Sequence, residues 1–139
     1  MTSTKSGPMD AIEYPTETRR RAERALRCSP FRPKLLADMR SQSVSLRTIT
    51  DNRGIHNGYT RAPLSELTAD GELMWLIAVG LLRREVDGQG LTDSFRLTPL
   101  GRQLLEKFEA EGFPDFQSGL RDHIYNALSR WLRFPGWLQ

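Results

Sequence analysis

The chain has 139 residues, 38% of them hydrophobic and 27% charged, with a formal net charge of +3. That length suffices for one compact domain with a genuine core and peripheral arms. A single cysteine, Cys28, excludes an internal disulfide framework, no apolar run is long enough to span a bilayer, and residues 1–10 lack the apolar core of a signal peptide, so a cytoplasmic protein is expected.

Residues 1–15 open with Ser, Thr, Gly, Lys and Pro, a composition too poor in apolar surface to order itself, and are expected to form a flexible tail. Residues 16–28 form a basic helical arm. Arg19, Arg20, Arg21 and Arg24 stand here against Glu17 and Glu23, and Ala22, Ala25 and Leu26 give the helix a narrow apolar face. Such an arm suits phosphate neutralisation on DNA or RNA; a solvated surface helix is the alternative.

Residues 29–112 are read as the folded core. The bend at Ser29-Pro30-Phe31-Arg32-Pro33 leads into a helix over 34–41 with Leu35, Leu36 and Met39 inward. Alternation of Val44, Leu46 and Thr48 predicts a strand over 43–50 that pairs with a later hairpin. Residues 51–61, rich in turn formers and including Asn57-Gly58, predict a long loop. A helix then starts near Pro63 with Leu64 and Leu67 facing inward. A second, short helix is expected over 72–79, sunk in the core and ended by Gly80. Strands over 81–86 and 94–97 flank the turn Asp87-Gly88-Gln89-Gly90. Thr98-Pro99 then caps a helix reaching about residue 111, with Leu100, Leu104, Leu105 and Phe108 at helical spacing.

The string Gly80-Leu81-Leu82-Arg83-Arg84-Glu85, the glycine-containing turn, and Phe95-Arg96-Leu97-Thr98-Pro99-Leu100-Gly101-Arg102 together resemble the second half of a winged-helix domain. The likeness covers roughly residues 62–111 and is to the broad superfamily that includes PadR-like and MarR-like regulators. It implies an α+β, mostly α fold in which a helix-turn-helix is followed by a two- to three-stranded wing and a closing helix, here with extra N- and C-terminal helices. It also implies a transcriptional regulator that binds duplex DNA. Residues 68–79 offer Asp70, Glu72, Met74 and Trp75 rather than base-reading donors, so DNA contact is expected from the basic arm and from a wing edge made by Arg83, Arg84, Arg96 and Arg102.

In residues 113–139, Leu120, Ile124, Ala127, Leu128 and Trp131 recur at intervals of four, three, one and three, an amphipathic helix. Phe134, Trp137 and Leu138 crowd the chain end behind it. Leu120, Ile124, Leu128, Trp131, Phe134 and Trp137 are therefore expected to form a homodimer contact or to dock a protein partner. That second use would make the protein a winged-helix interaction module in place of a DNA reader. His56 and His123 lack companions at metal-ligand spacing, Cys28 has no partner cysteine, and the carboxylates are scattered. No catalytic residue, metal or cofactor is expected, and no membrane contact.

Overall fold

The computed structural model describes residues 13–111. The amphipathic stretch over 115–132 and the aromatic chain end lie outside the described residues. Among the described residues, five helices and a three-stranded antiparallel sheet make up an α+β fold.

Helix α1 (Thr16–Arg27) buries Ala22, Ala25 and Leu26, the narrow face expected of it. Because so few apolar residues hold it, side-chain pairs to the last described helix, α5 (Pro99–Ala110), matter: Glu23 bonds Lys107 at 2.9 Å, and the Arg27 guanidinium lies 5.2 Å from the Phe108 ring centre. Helix α2 (Pro33–Ser41) starts on a proline, whose missing N–H costs nothing at that position, and buries Leu35, Leu36 and Met39.

The strand expected over 43–50 is much shorter. β1 (Val44–Ser45) pairs with β3 (Gly90–Leu97) and gives way at once to a 3₁₀ turn over Leu46–Thr48. The turn buries Leu46 in the core, and alternation cannot tell that from a strand position.

Residues 51–61 are not an open loop, since Asp51–His56 form a one-and-a-half-turn helix, α3. Gly54 lets it seat: a Cβ there would collide with the Ile49 carbonyl and come within 2.8 Å of Thr60 Oγ1. Asn57 Nδ2 donates to the Thr48 carbonyl at 3.0 Å and closes the helix onto the preceding turn. The turn formers thus serve a close packing contact.

The two helices expected near 62–67 and over 72–79 are one. α4 (Glu66–Ala78) starts at Ser65, whose hydroxyl accepts the Thr68 N–H at 3.1 Å, and runs unbroken through Gly71. Ala69, Leu73 and Leu76, spaced four and three apart, define its buried stripe. Leu67 precedes Ala69 by two residues, about 200° round the helix, and is 84% exposed, so its expected inward orientation is wrong; Leu64, before the helix, does pack on the core. At the far end Leu81 N–H reaches the Leu76 carbonyl and Gly80 N–H the Ile77 carbonyl, with Gly80 at φ 92°, a Schellman stop.

β2 (Leu82–Asp87) and β3 (Gly90–Leu97) form the hairpin, with β3 longer than the return strand expected, and the sheet order is β1-β3-β2. Thr98 then accepts the Gly101 N–H and donates to the Gly80 carbonyl at 2.5 Å. One hydroxyl thereby fixes the start of α5 (Pro99–Ala110) to the end of α4. Phe31, Phe95, Leu36, Leu73, Leu76, Leu81 and Leu104 fill the centre at 0–1% exposure.

Candidate interaction surface

The arginines expected to form one wing edge are divided by the pleat. Arg83 and Arg96 are cross-strand partners and share one face of the hairpin, where Glu85 stands 3.8 Å from Arg96. Arg84 pairs with Phe95 in the register and so lies on the opposite face. Its guanidinium stacks 4.8 Å from the Phe95 ring centre, bonds the Thr92 carbonyl at 3.1 Å, and stands 3.6 Å from Asp70 and 3.3 Å from Asp93. With a side chain 18% exposed, it clamps α4 to the hairpin. Arg102 donates to the Arg40 carbonyl at 3.1 Å, tying α5 to α2. A continuous four-arginine edge is therefore not assembled.

On α1, Arg19 and Arg20 are exposed, whereas Arg21 and Arg24 are half-buried and Arg24 stands 3.8 Å from Glu17. Leu120, Ile124, Leu128, Trp131, Phe134 and Trp137 lie outside the described residues.

A different surface stands out. Glu66, Leu67, Thr68, Gly71 and Met74 are exposed on α4, and Asp70 is half-buried among them. Between α4, Leu46 and the hairpin lies an open groove of about 400 Å³ lined by Leu46, Glu66, Leu67, Asp70 and Asp93. An adjoining groove of about 500 Å³ shares Leu46, Glu66 and Asp93 with the first and adds Ser45, Arg47, Thr50, Asp51 and Arg53. At the hairpin's far end Val86 and Leu91 are partners in register, 60% and 73% exposed. A register shift between Arg84 and Val86 lies between this pair and the strand positions beside α4. On α4 itself, exposed apolar groups and carboxylates stand together.

The sequence alone hides this face because the expected helix near Pro63 turns Leu67 inward. The available signal was phase: a single helix over 66–78 puts Leu67 opposite Ala69, Leu73 and Leu76.

Perturbed titrations lie elsewhere. Burial, then the hydrogen bond and charge of Asp38, push the Tyr59 phenol up to about 12. Asp38 is itself held below its ordinary range: burial raises it, but hydrogen bonds from Lys34 and Tyr59 outweigh that. Glu23 is lowered likewise, its desolvation overcome by Lys107 and Arg27. These groups join helices and line no cavity described above. Among the described residues no three of His, Cys, Asp and Glu are grouped to hold a metal ion, and no helix is long and apolar enough to cross a membrane.

The chain belongs to the Npun_F0494-like family, whose model matches residues 12–130. No curated protein and no solved structure matches it.

Proposed function

We propose that this member of the Npun_F0494-like family is a winged-helix interaction module that docks a protein through the face of α4 and the hairpin. The succession α2, β1, α3, α4, hairpin, α5 supports the winged-helix reading, with α3 and α4 as the helix-turn-helix pair and β2–β3 as the wing. One observation carries the choice of partner. The exposed face of α4, which in a DNA reader would meet base edges, presents Glu66, Leu67, Asp70 and Met74. Carboxylates there repel phosphate, and leucine and methionine offer no donors to bases. Exposed apolar residues rimmed by charge are what a protein interface uses.

A second reading has its own support. Arg19 and Arg20 are exposed on α1, and Arg83 and Arg96 face one way on the hairpin, so two cationic surfaces are open to a nucleic-acid backbone. Contacts of that kind give affinity without sequence choice. A transcriptional regulator acting as a dimer on duplex DNA would work through these residues.

Binding of the full-length protein to random duplex DNA, measured at about 50 and 200 mM salt, separates the two. The interaction module predicts no binding at micromolar protein. Micromolar binding that weakens steeply with salt, and that is lost in Arg19→Ala/Arg20→Ala or Arg83→Ala/Arg96→Ala variants, would overturn it in favour of the regulator.

A further inference from the structure

Two methionines lie among the described residues, and their surroundings differ. Met39 is fully buried in the core, whereas Met74 is 45% exposed on α4. Its sulfur also has a neighbour of its own: Arg84 Nη2 donates to Met74 Sδ at 3.1 Å. That guanidinium is held by the Thr92 carbonyl at 3.1 Å, by Asp93 at 3.3 Å and by the Phe95 ring centre at 4.8 Å, with Asp70 at 3.6 Å. An accessible thioether thus stands beside a fixed cationic donor.

A thioether sulfur is a weak acceptor, so the donor aimed at it gains little. Oxidation to the sulfoxide replaces it with a polar oxygen. The methionine side chain has three rotatable bonds, which let that oxygen turn toward Arg84 Nη2 while α4 stays where it is. A hydrogen bond from a charged donor is stronger than one between neutral groups.

We propose that Met74 is a site of reversible oxidation by hydrogen peroxide, and that Arg84 captures the sulfoxide oxygen. A lone pair on Sδ attacks one peroxide oxygen and the O–O bond breaks. The departing hydroxide takes the proton left on the transferred oxygen and leaves as water, so that sulfur loses the two electrons that the peroxide gains. Methionine sulfoxide reductases reverse the change. Oxidation then makes an apolar group on the exposed face of α4 polar while Arg84 keeps the hairpin against the helix. The inference concerns residues of this chain alone and does not rest on what that face binds.

The test treats the full-length protein with hydrogen peroxide and locates the added oxygen by peptide mass mapping. Met74 is expected to oxidise at least about tenfold faster than Met39, and the reductases to remove the oxygen again. In urea, oxidation should lower the unfolding midpoint of Arg84→Ala and leave that of the wild type unchanged or higher, because only the wild type has a donor for the new oxygen. Met74→Leu should show neither shift, which assigns both to this sulfur. NMR of the arginine side chains in the folded wild type gives a second readout: the Arg84 signals should move on oxidation and return on reduction. Met74 oxidising as slowly as Met39 would overturn the site. Equal midpoint shifts in wild type and Arg84→Ala, or unmoved Arg84 signals, would overturn the capture by Arg84.

Discussion

Tyr59 donates its phenolic hydrogen to Asp38 Oδ2 at 2.8 Å while Lys34 bonds the same oxygen at 3.0 Å, so one carboxylate holds the loop after α3 against α2. The Tyr59 pKa rises from 10.0 to about 12 on folding, which means the folded state favours the protonated phenol. Its contribution is complete below 10.0 and is lost as pH rises through about 12. Tyr59→Phe is expected to cost about 1 kcal/mol at neutral pH and to remove this alkaline decline, read from urea midpoints across pH. Gly101 is a second residue on which packing depends. A Cβ there would meet the Leu81 carbonyl and come within 2.6 Å of Leu97 Cδ2, so Gly101→Ala should destabilise by about 1–3 kcal/mol in the same assay. In the sequence Gly101 is merely one glycine in a helix; that its neighbour is the Leu81 carbonyl is a tertiary fact.

At the scale of elements, α4 and the hairpin are held together by Arg84. Its guanidinium reaches two carboxylates, a carbonyl and an aromatic face at once. Arg84→Ala is expected to lower stability by about 1–2 kcal/mol, whereas Arg83→Ala, one residue away and exposed, should change it by less than about 0.5 kcal/mol. Equal effects on chemical denaturation would contradict the clamp. The sequence presents the two arginines as equivalent, and only the register, Arg84 opposite Phe95 and Arg83 opposite Arg96, separates them. The boundaries of α1, α2 and α5 follow from composition because each carries its own periodic apolar stripe and a start or stop signal. α4 is one helix where two are expected: Gly71 sits within it as an exposed residue with nothing within 4 Å of a Cβ.

Across the whole molecule, ion pairs join helices distant in sequence. Glu23 bonds Lys107, and Arg40 meets Glu109 through two bonds of 3.0 and 2.9 Å. Glu23 and Asp38 are both lowered from their ordinary values of 4.5 and 3.8. The stability they contribute is therefore present above those values and lost as pH falls through the lower folded ones. Calorimetry between neutral pH and about pH 3 should show the melting temperature falling in acid, with a shallower fall in Glu23→Gln. An unaltered acid limb in that variant would mean that other carboxylates govern it.

By itself the sequence determined the α+β class, four of the helix positions in whole or part, the hairpin turn and most of the core, because repeating apolar spacing and caps act within a few residues of one another. Tertiary structure decided the rest. β1 is short because Leu46 turns into the core, α3 exists because Gly54 seats against Ile49, and the wing arginines part because the pleat sends neighbours to opposite faces. The acidic, apolar face of α4 belongs to that second group: Leu67 and Asp93 lie 26 positions apart in the chain and line one groove only because the hairpin folds back beside the helix.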